Sequence, residues 1–313
     1  MAMIVIGECM LELTRDADRW RLGYAGDTFN TALYLSRLGV PTAYMTALGT
    51  DVFSQDMRAE WQADGLDTSL VLSAPARLPG LYAVRNDADG ERHFYYWRER
   101  SAARELFTLP GIETAVARVR SAQQLYLSGI TLSLFSHAER RQINEIAAAV
   151  RAGQGQVIFD PNYRPNGWNS AAEARAAMRA LAPCVSIVMP TFTDEVALCG
   201  DASPAETVMR WRDWGAEQVI VKLGAKGCMV ADSSGTEAVA AVKVSSVIDT
   251  TGAGDAFNAG FLAGRRTGQD PLAAARSANR VAAIVIQHRG GVLPRDRTAQ
   301  LQAALREGEP FGK

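Results

Sequence analysis

Val157-Ile-Phe-Asp-Pro-Asn-Tyr-Arg164 reads as a short apolar strand that stops in a polar turn. The same figure recurs on both sides of it. Leu125 to Ser128, Val185 to Met189 and Val219 to Lys222 are further short runs rich in branched residues. The stretches between and around them, His137 to Arg151, Ala171 to Ala182 and Ala205 to Trp214, have the texture of helices. Strands that alternate with helices imply βαβ units and a parallel sheet covered on both faces, an α/β fold class. Ligands of such sheets collect at the carboxyl ends of the strands. The polar segments Asp160–Arg164, Thr191–Asp194 and Gly224–Gly227 are therefore the places to look for a site.

Working outward, the N-terminal part opens with a strand-like run from Met3 to Ile6 that ends at Gly7, then the alternating Leu11-Glu-Leu-Thr14. Thr28 to Leu38 has helical spacing with Gly39 at its expected end. Ala43 to Leu48 reads as a strand, and a helix-like segment runs on to about Asp64. Between Leu78 and Arg100 the texture changes. Leu78–Arg85, a turn-like Asn86-Asp-Ala-Asp-Gly90 and the aromatic Arg92-His-Phe-Tyr-Tyr-Trp-Arg98 form a candidate β-hairpin. With the strand-like residues of about 10–24 it makes a small second layer. Strict alternation puts Tyr96 and Arg98 on one face of that hairpin, and Tyr95 and Trp97 on the other.

Composition excludes several classes. The 313 residues are 48% apolar and 21% charged, with a net charge of −1. No long-range field favours nucleic acid or an anionic membrane. The four cysteines, Cys9, Cys184, Cys199 and Cys228, are scattered and form no CxxC pair, which suits a reducing cytoplasm better than a zinc site or a disulfide framework. The first residues look like a strand rather than a signal peptide. No stretch approaches the roughly 18 apolar residues of a membrane span.

The chemistry is carried by Asp249-Thr-Thr-Gly-Ala-Gly-Asp255, which follows the strand-like Val247-Ile248 and leads into the helical Ala256–Leu262. Small residues let the backbone come close to a ligand, and a helix start presents free N–H groups under partial positive charge. That is an anion site suited to transferred phosphate. A carboxylate at its edge is costly beside a polyanion unless it has a task, such as accepting a hydroxyl proton.

This heptapeptide resembles the C-terminal signature of the ribokinase-like (phosphofructokinase-B type) carbohydrate kinases, and Ala25-Gly26-Asp-Thr-Phe-Asn30 stands where that family has its N-terminal Gly-Gly motif. Gly7–Leu13, Thr46–Asp51, Leu78–Tyr82, Tyr95-Tyr-Trp-Arg98, Asp160–Pro165 and Val285–Gly290 extend the resemblance along nearly the whole chain, toward the branch that phosphorylates 2-keto-3-deoxy sugar acids. It implies a single ribokinase-like α/β domain over residues 1–313, a three-layer parallel sheet flanked by helices, with a small β-sheet lid from about 10–24 and 78–100. It further implies transfer of the γ-phosphoryl group of ATP, with Mg²⁺, to the primary 6-hydroxyl of a sugar acid such as 2-keto-3-deoxygluconate. Asp255 is then the base, and the N–H groups of Gly252, Ala253 and Gly254 hold the charge that develops.

The resemblance assigns Gly26, Asp27, Asn30, Tyr82, Tyr96 and Arg98 to the substrate, with Arg98 placed to grip a carboxylate, and Arg164, just after a strand end, is positioned to bridge substrate and phosphate. It assigns Asn162, Lys222, Gly224, Gly227 and Asn279 to the nucleotide. Read from the residues alone, Asp27 fits an N-cap, Arg164 a surface loop, and Gly224–Gly227 a plain turn. The family's Asn-x-x-Glu falls on Thr191 and Asp194, with Glu195 beside them, so the family's metal ligands do not carry over directly; the ligands stay unknown, with Asp194 and Asp249 as candidates. A homodimer or larger homo-oligomer through the lid is expected, with no nucleic acid or membrane partner. Two rivals stay open: a kinase of a neutral ketose such as fructose, and a non-catalytic sugar or nucleotide sensor. A nicotinamide dehydrogenase does not fit, because the first βα turn has no Gly-x-Gly-x-x-Gly.

Overall fold

The structure, a computed structural model, describes residues 2–16, 19–86 and 92–306. Among them thirteen strands are formed: β1 (Met3–Ile6), β2 (Met10–Asp16), β3 (Arg19–Ala25), β4 (Thr42–Leu48), β5 (Val71–Ser73), β6 (Leu81–Asn86), β7 (Arg92–Trp97), β8 (Gln124–Ser128), β9 (Gln156–Asp160), β10 (Ile187–Val188), β11 (Gln218–Lys222), β12 (Cys228–Asp232) and β13 (Gly235–Val239). Nine of them form one sheet in the order β13-β12-β11-β10-β9-β8-β1-β4-β5. It is parallel from β5 to β11, and the β12 and β13 edge is antiparallel.

Alternation along the strands explains the layers. In β1, Met3 and Val5 enter one core cluster with Phe29, Phe257, Phe261 and Val281, whereas Ile4 and Ile6 enter another with Ile143, Met178 and Trp211. The helices Asp27–Arg37, Ala253–Arg266 and Pro271–Val285 therefore cover one face, and His137–Ala152, Ala171–Leu181 and Pro204–Asp213 cover the other. Both faces are dry, as the near-continuous apolar strands require. This packing brings the starts of two helices, at Asp27 and at Ala253, above the carboxyl ends of β8, β9 and β11.

The remaining four strands form a separate sheet in the order β3-β2-β6-β7. The expected hairpin is present as β6 and β7, with Tyr82 opposite Tyr96; residues 87–90 of the expected turn lie outside the described residues. Pairing of Glu12 with Tyr82 and of Tyr82 with Tyr96 puts these side chains on one face.

Two expectations need correction. Val247 and Ile248 are not a strand: the chain is irregular after β13, and both residues are more than half exposed. The N–H groups of Ile248 and Asp249 instead reach the Ile286 carbonyl at the end of the Pro271–Val285 helix, at 2.8 and 3.2 Å. Branched residues here signalled a sheet that the segment does not join. The run Val185–Met189 shrinks to two strand residues, Ile187 and Val188. Among the described residues no helix is long and apolar enough to cross a membrane.

Candidate active site

The Ala253–Arg266 helix begins at Gly252, whose left-handed backbone (φ 72°) no β-carbon could share easily. A Cβ there would also lie 2.6 Å from the Gly291 carbonyl oxygen. Asp255 stands in the first turn, 9% exposed. Its Oδ2 accepts a hydrogen bond from Asn30 Nδ2 at 2.8 Å, which joins the two helix starts. A helix N-terminus favours negative charge, yet burial dominates here. Desolvation first, then the negative charges of Asp27 and Asp160, push Asp255 up to about 8 against the opposing effects of Asn30 and Lys222. A carboxyl group poised near neutral pH is suited to take and hold a proton.

Beneath it runs a buried polar network. Lys222 Nζ donates to Asp160 Oδ2 at 2.6 Å and to Asn258 Oδ1 at 3.3 Å. Asn258 Nδ2 donates to the same Asp160 oxygen at 2.6 Å and to the Tyr126 hydroxyl at 2.9 Å. Thr31 Oγ1 lies 3.4 Å from both the Tyr126 hydroxyl and the Asp255 carbonyl oxygen. Buried charges and amides persist only when so paired. Lys222 also lies close under the motif, its Nζ 3.6 Å from where a Cβ on Gly254 would sit. The residue assigned from sequence to the nucleotide is thus tied to Asp160 and stands beneath the loop that would meet the transferred phosphate.

Asp27 does more than start its helix. Its Oδ2 accepts from Asn162 Nδ2 at 2.9 Å, and burial raises its carboxyl against the lowering effect of bonds from Ser128 and Asn162. Asn162 adopts a left-handed backbone (φ 34°) between Asp160 and Arg164, a conformation asparagine tolerates and one that tends to gather at functional sites. Its N–H caps Asp160 Oδ1 at 3.1 Å. Arg164 donates to Asp194 Oδ2 at 3.0 Å, while its guanidinium remains about half exposed. Burial raises the Asp194 carboxyl, and Arg164 pulls it back.

Gly26, in extended backbone, packs so closely on β1's continuation that a Cβ would lie 2.2 Å from the Glu8 carbonyl oxygen. Ala25, by contrast, buries its Cβ with Met10 and Tyr82, which accounts for alanine at the family's first glycine position. On the small sheet Tyr82 hydrogen-bonds Glu12. Its ring lies 5.9 Å from that of Tyr96, which stacks at 6.4 Å on Phe94. Burial raises the Tyr96 phenol, and the nearby Arg98 and Arg164 lower it. Tyr96, Arg98 and Arg164 therefore share one neighbourhood, as the strand parity predicts for the first two. Arg98 forms an ion pair with Glu8.

The nucleotide candidates assemble at the other end. Gly224–Lys226 is a single 3₁₀ turn after β11. Gly227 lies against the Val239–Ala241 backbone, and Asn279 Nδ2 donates to the Ala240 carbonyl in the same segment at 3.0 Å. Asp249 does not join Asp194. Its two oxygens accept the N–H groups of Thr251 and Gly290 at 2.8 and 3.0 Å, bracing the turn. Among the described residues no group of three His, Cys, Asp or Glu side chains is arranged to hold a metal ion. Sequence reasoning missed Glu8, Glu12, Tyr126 and Asn258. The signal for Asn258 was its place one helical turn beyond Asp255, on the same helix face.

Relatives bear on this geometry. Residues 2–298 match the model of the pfkB family of carbohydrate kinases. The chain is 41% identical over 297 residues to the 2-dehydro-3-deoxygluconokinase of Dickeya dadantii (strain 3937), covering 93% of this chain and 96% of that one. It is 42% identical over 301 residues to the enzyme of that name from Escherichia coli K12, with 93% and 97% covered. A structure from E. coli solved in complex with ATP and Mg²⁺ superposes with a TM-score of 0.83 at 24% identity, over 97% of this chain and 99% of that one, which shows a shared fold. The chain belongs to the pfkB family of carbohydrate kinases.

Proposed function

We propose that this chain catalyses ATP-dependent phosphorylation of 2-keto-3-deoxygluconate (2-dehydro-3-deoxygluconate) at its 6-hydroxyl. The observation that carries the reading is Asp255: a buried carboxylate, raised to about 8, at a glycine-opened helix start. The relatives near 40% identity supply the acceptor. Asp255 takes the proton of the acceptor hydroxyl, and Asn30 holds its carboxylate in place. The N–H groups of Gly252 and Gly254, with Lys222 below, face the charge that develops on the transferred group; the Ala253 N–H, which donates to the Thr250 carbonyl at 3.2 Å, would join them only by giving up that bond. Asp27 and Asn30 orient the sugar hydroxyls. Tyr82 and Tyr96 line its flank, while Arg98 and Arg164 meet its carboxylate.

Asn162, Gly224, Gly227 and Asn279 are proposed to border the nucleotide. Mg²⁺ bound with ATP would lend its charge to the phosphates, and so few protein ligands would be needed to hold it. Of the two carboxylate candidates, Asp249 braces the turn through two backbone N–H groups, whereas Asp194 is held by the half-exposed Arg164 and would have to release it to take the metal. The four free thiols suit a reducing compartment, and we place the reaction in the cytoplasm. We read residues 1–313 as one domain whose small sheet closes over the acceptor. The sheet's outer face exposes about half or more of Trp20, Leu22, Tyr95 and Trp97, a patch suited to pairing with a second copy.

An ATP-consumption screen of keto-deoxy acids against neutral ketoses tests the reading. Turnover favouring the sugar acid is expected; preference for fructose would support the rival kinase, and no turnover with any sugar would support a sensor.

A further inference from the structure

Arg98 is held from two directions. Its side chain pairs with Glu8, a carboxylate only 2% exposed, and Ser101 donates its hydroxyl to the other Glu8 oxygen. Its main-chain carbonyl accepts from Arg104 Nε at 3.0 Å, and Arg104 Nη1 reaches across to the Leu134 carbonyl at 2.9 Å. Gly80 makes room for the pair: a Cβ there would lie 3.0 Å from Glu8 Oε1 and 3.2 Å from Arg98 Cβ. Glu8 itself is fixed just beyond β1, with its carbonyl under Gly26, so the pair links the small sheet to the helix start that carries Asp27 and Asn30.

The side chain of Arg98 is 15% exposed, so the guanidinium is neither free in solvent nor sealed. Its Nε and Nη2 are themselves buried, Nη2 against Glu8, so a ligand would have to be met through Nη1. A guanidinium offers five donors in a rigid fork, and pairing with one carboxylate leaves donors for a second. A ligand carboxylate on the guanidinium's far edge would meet Arg98 directly and Glu8 only across it, so attraction would exceed the repulsion between the carboxylates. Without its partner, an arginine this confined would leave its buried position for water.

We propose that Glu8 is a positioning residue, which holds the Arg98 guanidinium ready for the acceptor's carboxylate and so sets selectivity for acidic acceptors. The inference rests on the reading that Arg98 meets that carboxylate. Fixing the fork before substrate arrives removes an ordering cost from binding.

The test is steady-state kinetics of Glu8→Gln, Glu8→Asp, Ser101→Ala and Arg98→Ala, with 2-keto-3-deoxygluconate and ATP varied separately and melting followed in parallel. Glu8→Gln is expected to raise KM for the sugar acid about 10-fold, with kcat within about twofold and KM for ATP unchanged. Glu8→Asp should recover part of that affinity. Ser101→Ala should show the same split at about 2–3-fold, and it carries the test if Glu8→Gln does not fold. An unchanged or lowered KM for the acid in Glu8→Gln would overturn the proposal, as would an equal loss in both KM values and in melting temperature. If Arg98→Ala leaves KM for the acid unchanged, the underlying reading of Arg98 fails instead.

Discussion

The helix start at Gly252–Asp255 and the four-stranded sheet that ends beside Arg98, proposed to flank one acceptor space, are built on opposite plans. Around Asp255 the polar groups are buried and bonded: Asn30 holds its carboxylate, Asp160, Lys222, Asn258 and Tyr126 form a network beneath it, and Thr31 joins Tyr126 to the Asp255 carbonyl. The small sheet has one face toward the site and another that leaves Trp20, Tyr95 and Trp97 half exposed. A preorganised, water-poor constellation is what phosphoryl transfer requires. A thin sheet with one anchored cation suits choosing what is phosphorylated. On the proposed reading the chemistry is set in the core and the choice of acceptor on the appendage, so lesions in the first should lower kcat and lesions in the second should raise KM.

The largest effect is expected from Asp255→Asn. Turnover should fall by about 10³-fold, within the usual range for a lost general base, while calorimetry still shows binding of ATP and sugar acid. Next is Lys222→Met, which leaves Asp160 buried without its cation. Urea unfolding should show a loss of about 3–5 kcal/mol, together with reduced kcat. No exposed residue of the small sheet should match that loss.

The pH dependence follows from Asp255. Its folded value, about 8, lies above the ordinary 3.8, so the folded chain holds this proton more tightly than the unfolded one. As base it must be ionised, and kcat/KM should fall about tenfold per pH unit on the acid side of about 8. The stability contribution has the opposite sense: it is full below pH 3.8 and is lost as pH rises through about 8. Asp255→Asn should therefore be the more stable protein at pH 9, by on the order of a few kcal/mol, with the advantage fading toward pH 4. The smallest catalytic effect is expected from Trp97→Arg on the outer face. It should lower the solution mass toward that of a monomer while kcat stays within about twofold.

Much of this was legible in the chain. The runs ending at Ser128, Asp160 and Lys222 have the spacing of parallel strands, and the last two place functional candidates, Asn162 and Arg164 after Asp160 and Lys222 itself, at a strand's carboxyl end. Parity along Arg92–Arg98 separates Tyr96 and Arg98 from Tyr95 and Trp97 without any structure. Local pattern fails where a segment's environment is set from afar. Val247 and Ile248 look like strand residues, but the end of the Pro271–Val285 helix captures their backbone. The bonds from Lys222 and Asn258 to Asp160 join residues 62 and 98 positions apart, and no periodicity reports such a pairing. Glu8 is hidden for the same reason. It follows a strand like any polar residue, and only the fold brings Arg98 to it.

The most direct test of the division between core and appendage is the ratio of kcat/KM for 2-keto-3-deoxygluconate over fructose, measured in the wild type and in Arg98→Ala. The account predicts a ratio strongly favouring the acid, which Arg98→Ala lowers by about tenfold or more through the acid alone. A wild-type ratio near one, or an equal fall for both sugars, would contradict it.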